Sequence, residues 1–268
     1  MNSGFNPVRR NRNIGTKRQG HGQNNRLSIP RIAGAERLWN EHLGNYTLTQ
    51  RFVSGRSVTF LVEDSHGGCL HACSVDDICH VLKHVPSADW TGLDTFVLRQ
   101  STRKQRILNP AWGRLFYWAD FGQAGRETVR SGPAVILEAI DPEQTLKWGL
   151  SLGPQDTEEL KRLRDDGHTV VRDTHAYVFS VTPTSARATQ LYRTLLHEIG
   201  HWVDFRKKVE GPADRGEQDY SDLYDAYFSR PRDEREAFAH RYADATRERL
   251  FRFGIFPFDP IDGSAGEN

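Results

Sequence analysis

Thr194-Leu195-Leu196-His197-Glu198-Ile199-Gly200-His201-Trp202 decides how the rest of the chain is read. Leu191, Leu195, Ile199, Trp202 and Val203 recur at helical spacing around it, and Thr182 followed by Pro183 is a helix start. The stretch therefore lies inside a helix predicted from Pro183 to about Lys207, with Gly211 and Pro212 breaking the pattern. A helix brings residues four apart onto one face, so His197 and His201 can present ring nitrogens to a single Zn2+ ion, one per chain. Glu198 stands beside them and can bond a metal-bound water without ligating. That pattern suits metal-assisted hydrolysis: zinc lowers the pKa of water towards ~7 and polarises a carbonyl, while Glu198 takes the proton and passes it to the leaving amine. An open catalytic site has three protein ligands, so one more must come from elsewhere.

A third histidine six residues beyond His201 is excluded, because that position is Lys207. The next helix, opened by Ser229 and Pro231 and running to about Phe253 before Gly254, carries Arg232-Asp233-Glu234-Arg235-Glu236-Ala237-Phe238-Ala239-His240. Glu236 is the expected ligand; Phe238 and Ala239 are available to pack this helix on its neighbour, and His240 lies four residues on, behind the metal on the same face. Glu234 points to a different face and is expected to stay solvated. Asp204, three residues after His201, is a candidate to hold a ligand imidazole in place.

HEIGHWVD (197–204) followed by EAFAHRYAD (236–244) resembles the glutamate-type zincins (gluzincins), in particular the HExGHxxD…ExFA pattern of metalloendopeptidases related to anthrax lethal factor. The resemblance covers about Leu191 to Asp244. It implies a compact catalytic core in which His197, His201 and Glu236 bind zinc and Glu198 is the general base. It also implies a zincin-like mixed sheet packed on the active-site helix and on the helix bearing the glutamate. That family places a tyrosine hydroxyl shortly before the ligand glutamate to stabilise the oxyanion. The equivalent spacing here falls on Ser229, so Tyr227 is the candidate, with Tyr224 and Tyr220 as neighbours.

Strands dominate before this helical third, which makes the fold class α+β. Ile32 to Leu48 reads as a short helix stopped by Gly44. Ser57 to Val62 reads as a strand that forms a hairpin with Cys69–Ala72 around Ser65-His66-Gly67-Gly68. Ser74 with Asp77 is a capping box for a helix whose Val75, Ile78, Cys79 and Leu82 share one face. Thr95–Arg99, Arg114–Asp120 and Pro133–Ala139 read as strands, Asp156–Asp166 as a charged surface helix, and Thr169–Val181 as a strand. Because the Thr182-Pro183 junction is short, that last strand is expected to run along the cleft and to offer an edge to an extended peptide. The chain thus divides into a disordered basic arm (1–28), a sheet-rich part (29–181), a helical zinc-binding core (182–255) and a C-terminal tail (256–268).

With 37% hydrophobic and 26% charged residues and a mean hydropathy of −0.65, the composition is that of a soluble globular protein. No apolar run approaches the ~20 residues that cross a bilayer, so no membrane partner is expected. The opening residues lack the apolar middle of a signal peptide, which points to the cytoplasm or to a non-classical secretion route. Between Met1 and Ala35 there are Arg9, Arg10, Arg12, Lys17, Arg18, Arg26 and Arg31 but no acid, which makes the arm a candidate nucleic-acid contact. His66, Cys69, His71, Cys73, Cys79, His80 and His84 form a second ligand-rich stretch, but without paired metal-binding spacings it is expected to be structural and far from the helix site. The leading expectation is an intracellular zinc endopeptidase acting on a protein or peptide substrate. The competing ones are a non-catalytic interaction module that uses the basic arm and a zinc hydrolase with a non-peptide substrate.

Overall fold

Alternation of apolar residues along the strands sets the layers. The computed structural model describes residues 40–102, 111–123, 127–143 and 145–261, and the basic arm (1–28) lies outside them. The main sheet contains β1 (Asn40–Leu43), β2 (Tyr46–Val53), β3 (Arg56–Glu63), β4 (Thr95–Arg99), β5 (Gly113–Gln123) and β6 (Thr128–Glu138), in the order β1-β5-β6-β4-β3-β2. It is mixed: β1/β5, β3/β4 and β4/β6 are parallel, whereas β2/β3 and β5/β6 are antiparallel. Phe96 and Leu98, with Val135 and Leu137, face the helices, and the intervening Val97, Ala134 and Ile136 enter a smaller cluster on the opposite face with Leu61 and Phe121. The fold is α+β, as the segregation of elements predicts.

Two corrections concern the first strands. Asn40–Leu43 and the start of Tyr46–Val53 are strand where a helix was expected over Ile32 to Leu48; the part of that segment before Asn40 lies outside the described residues. Short apolar runs are compatible with either period, and pairing with β3 and β5 decides this one. β3 forms its hairpin with β2, not with Cys69–Ala72. Ser54 (φ 48°) and Gly55 (φ 81°) give the two positive-φ positions of a primed two-residue turn, which matches the strand twist. Of the expected partner only Leu70 bridges, to Ile140.

Helix α1 (Val75–His84) begins at the predicted box, with Ser74 and Asp77 each capping the other's backbone. After β7 (Thr145–Gly149) and α2 (Pro154–Asp165) come β8 (Thr169–Arg172) and β9 (Ala176–Ser180). The single strand expected over Thr169–Val181 is thus a hairpin, because the Asp173 carboxylate accepts from the backbone of His175 and Ala176 at 2.6 Å each and turns the chain. β9, the strand next to the active-site helix, is the centre of a separate sheet ordered β7-β9-β8, so it is not an edge.

From Pro183 the chain stays helical to Asp214: α3 (Pro183–Thr189), a π turn (Gln190–Thr194), α4 (Leu195–Phe205), a second π turn (Arg206–Glu210) and α5 (Gly211–Asp214). Thr182 caps it and Pro183 occupies the first turn, as predicted. Pro212 does not end the helix; it falls in the first turn after a π turn, where a missing N–H costs little. α6 (Tyr220–Ser229) and α7 (Arg232–Arg252) complete the fold. Leu195, Leu196, Ile199 and Trp202 of α4 are at most 1% exposed against the sheet, and burial of each such side chain stabilises by about 1.5–3 kcal/mol. Residues 256–261 of the expected tail are structural. Phe256 is buried, the Arg187 guanidinium lies 4.4 Å from the Phe258 ring, and the backbone of Ile261 bonds Ser74 Oγ (2.8 Å) and Asp77 Oδ1 (3.0 Å). No helix among the described residues is long and apolar enough to cross a membrane.

Candidate metal centre

Where α4 and α7 cross, both helices present their smallest side chains. A Cβ on Gly200 would lie 3.1 Å from the Cα and the carbonyl oxygen of Ala239, so glycine between the two histidines allows backbone-to-backbone approach. The helices pack directly, and Glu236, three residues before Ala239, arrives opposite His197 and His201.

His197 Nε2 and His201 Nε2 are 3.0 Å apart, and Glu236 Oε2 lies 3.3 and 3.5 Å from them. Two donors held ~2.0–2.1 Å from one tetrahedral zinc sit ~3.3–3.4 Å apart, so the triangle has the size of one face of such a coordination shell. The proton count agrees. Both buried Nδ1 atoms lack a hydrogen-bond partner, while both Nε2 atoms crowd a carboxylate oxygen, an arrangement that a cation among the three relieves. Hydrogen bonds from His197 and then His201 hold the Glu236 carboxyl far below the usual carboxylate range. Its other oxygen accepts from Arg232 at 3.1 Å. Among the described residues these three form the one group able to hold a metal ion. Glu234 points elsewhere, as expected, and pairs with Arg230 at the surface.

Glu198 is buried beside the centre, and its Oε2 accepts from the backbone N–H of Leu115 at 2.7 Å. The strand that reaches the site is therefore β5, not β9. Its approach is tight: a Cβ on Gly113 would meet the Ile136 carbonyl at 2.6 Å and Thr194 Cγ2 at 2.9 Å. Trp112, Gly113, Arg193, Thr194, His197, Glu198, Glu236 and His240 line a cavity of about 170 Å³ at this junction. Arg193 is fixed there by Asp166 at 2.8 Å and Glu159 at 2.7 Å.

His240 does stand beside the ligands. Its ring centroid is 4.4 Å from that of His197, and Arg162 Nη1 lies 3.2 Å from its Nδ1. Burial, then the neighbouring His197 and Arg162, push its pKa down to about 4.

The other two candidates sit away from the metal. Asp204 is fully buried, but it accepts from Lys208 (2.5 Å) and Arg230 (3.2 Å) and holds neither imidazole. Lys208, one turn on along its own helical run, and Arg230, in the chain that joins α6 to α7, claim it. Tyr227 is 2% exposed and does not line the cavity. Its ring packs on Phe205 and Phe228, and its hydroxyl meets Tyr117 Oη at 3.3 Å. Burial raises its pKa to about 12. Tyr220 and Tyr224 are exposed on α6.

Arg193 and the β5 backbone were not among the expected site residues. Arg193 had a signal, standing four residues before His197 on the same helical face. Leu115 had none, since it contributes only its amide. Comparison of the chain with protein-family models, curated proteins and solved structures finds no match.

Proposed function

We propose that this chain is a zinc-dependent endopeptidase. The observation that carries the reading is the convergence of His197 Nε2, His201 Nε2 and Glu236 Oε2 at zinc-like spacing, with Glu198 on the wall of the same cavity. Zinc, when bound, would acidify water and polarise the scissile carbonyl. Glu198 accepts the water's proton and delivers it to the leaving amine, and the Leu115 amide keeps its carboxylate turned towards β5. The mixed sheet against the active-site helix, which in turn packs on the helix bearing Glu236, supports the likeness to glutamate-type zincins.

Metal analysis together with cleavage of a fluorogenic peptide pool tests the reading. Zinc at about one per chain is expected, retained by Glu234→Ala and lost on mild chelation from Glu236→Ala. A parent protein without zinc overturns the proposal; retention by Glu236→Ala with loss from Glu234→Ala moves the ligand by two residues.

A further inference from the structure

An arginine on the cavity wall has a nitrogen without an acceptor. Arg193 stands one helical turn before His197 and lines the cavity with it, its side chain only 9% exposed. Its Nε donates to Asp166 at 2.8 Å, and its Nη1 donates to the two oxygens of Glu159 at 2.8 and 2.7 Å. Nη2 is buried and has no partner among the described residues. A guanidinium nitrogen sheltered from water is costly to leave unpaired.

The two carboxylates set the direction of that nitrogen. A guanidinium is a rigid planar fork, so holding Nε and Nη1 fixes Nη2 as well. Asp166 and Glu159 do not line the cavity, whereas Arg193 does. The edges they hold are turned away from it, and Nη2 is the end left for the wall. Charge then narrows the ligand. Arg247 lies 3.4 Å from the other oxygen of Asp166, so two arginines and two carboxylates make a neutral cluster. An anion there would meet Asp166 and Glu159 with no spare cation, but an uncharged carbonyl oxygen needs none. The scissile oxygen is claimed by the metal, and a donor one turn away falls to a neighbouring carbonyl. Residues of an extended peptide are about 3.3 Å apart, which puts such an oxygen one or two residues from the scissile bond.

On the endopeptidase reading, we propose that Arg193 Nη2 binds a backbone carbonyl oxygen of the substrate beside the scissile bond, with Asp166 and Glu159 as its positioning residues. The hydrogen bond forms with the bound peptide and persists through the reaction, so it acts on substrate affinity and not on the chemical step. No covalent step is involved, and the proton stays on Arg193.

Three zinc-chelating hydroxamates separate this role from support of the metal: an acetyl-oligoglycine hydroxamate, an alkyl hydroxamate of the same length, and that alkyl chain ending in a carboxylate. Each is titrated into the zinc-loaded parent, Arg193→Lys and Glu159→Ala, and each protein is assayed on one peptide that the parent cleaves. Arg193→Lys keeps a cation for both carboxylates but loses the fork. It should bind the oligoglycine hydroxamate ~10–10²-fold more weakly and raise KM in step, with kcat and alkyl hydroxamate affinity within about threefold of the parent. Glu159→Ala leaves Arg193 in place and removes one charge that offsets it, so the carboxylate-tipped chelator should bind about tenfold tighter than it does to the parent. Should the lysine variant fail to fold, this gain decides the matter, and its absence overturns the inference. Equal loss of the oligoglycine and alkyl hydroxamates in Arg193→Lys overturns it too, by making Arg193 a support for the metal. So does loss of neither, or a fall in kcat without a rise in KM. In each of these cases a parent that holds zinc and cleaves peptides keeps the endopeptidase reading; a parent that holds no zinc overturns both.

Discussion

Between His66 and His84 the chain carries four histidines and three cysteines, more metal-binding side chains than α4 and α7 bring together, yet these seven form no metal-holding group. Several of their donor atoms are already committed. His71 Nε2 bonds the Glu63 carbonyl (2.7 Å), His84 Nδ1 bonds the His80 carbonyl (2.8 Å), the His80 ring packs on Phe258, and Cys73 Sγ points to Gln190 Oε1. Burial pushes the Cys73 and Cys79 thiols up, Cys79 to about 11, so neither supplies a thiolate near neutrality. The helix pair has fewer candidates, but their spacing and the close crossing at Gly200 aim three lone pairs at one point. Convergence, rather than abundance, separates the two regions.

The largest expected effect lies on the convergent side. Glu198→Gln keeps the side-chain volume and touches no ligand atom, but an amide cannot accept the water's proton. The variant should keep about one zinc per chain while kcat/KM falls ~10²–10⁴-fold. Equal cleavage by variant and parent would show that the cavity has no chemistry to distinguish it from the His66–His84 stretch.

The second effect belongs to the other region and makes its structural role explicit. Asp77 accepts from Arg187 Nε and Nη2 at 3.1 and 2.8 Å and from Ile261 N, and so fastens α1 to α3 and to the C-terminal segment. Asp77→Asn leaves Arg187 buried beside a neutral amide and should cost about 3–5 kcal/mol in urea unfolding, with zinc content unchanged. Burial acts to raise the Asp77 pKa, but the hydrogen bonds from Arg187 and from the backbone of Ser74 and Ile261 outweigh it, and the net shift is downward. A folded-state pKa below the unfolded one gives stability that is complete above the unfolded value of ~3.9 and lost as pH falls through the folded value. The parent's advantage over Asp77→Asn should therefore shrink below about pH 4.

The sequence made the convergent region legible because every signal there is local. A 3.6-residue stripe, Thr182-Pro183 and the four-residue histidine spacing all act within one helix, and Glu236 follows from the next. The strands β3 to β6 were legible from runs of β-branched, aromatic and aliphatic residues between Gly and Pro. What failed depends on partners distant in sequence: β1 and β2 become strands through pairing with β5 and β3, and Asp204 turns to Lys208 and Arg230. Tyr227 faces a core that its position in the chain does not reveal. The Leu115 amide, being backbone, leaves no mark in the sequence at all.

Gly200→Ala tests the crossing itself, with a smaller effect. The added Cβ would sit 3.1 Å from backbone atoms of Ala239 and from the Tyr242 ring, and backbone cannot swing aside. The helices must part by a few tenths of an ångström. Overpacking of this kind costs about 1–3 kcal/mol, and the same displacement draws Glu236 from the histidines. Urea unfolding should show the loss, and a chelator titration should show weaker zinc retention than in the parent. Undiminished zinc affinity would mean that the ligand triangle does not depend on the close approach.

The smallest expected effect is close to zero, and it bears most directly on the comparison. If the His66–His84 stretch is structural, the triple variant His66→Asn, His71→Asn, His84→Asn should bind the same one zinc per chain as the parent. His66 is exposed, and its Nδ1 lies 3.3 Å from the Asp64 carbonyl, so its loss removes a solvated contact. His71 and His84 each meet a single backbone carbonyl, and asparagine can still donate there. Net hydrogen bonds of this kind contribute about 0.5–1.5 kcal/mol each, so unfolding should shift modestly and metal content not at all. The measurement is zinc per chain after dialysis against a weak chelator, run beside Glu236→Ala as the positive control. A fall in zinc for the triple variant, with the Glu236 variant unaffected, would transfer the metal to the stretch between β3 and α1 and leave HEIGH as an ordinary helix.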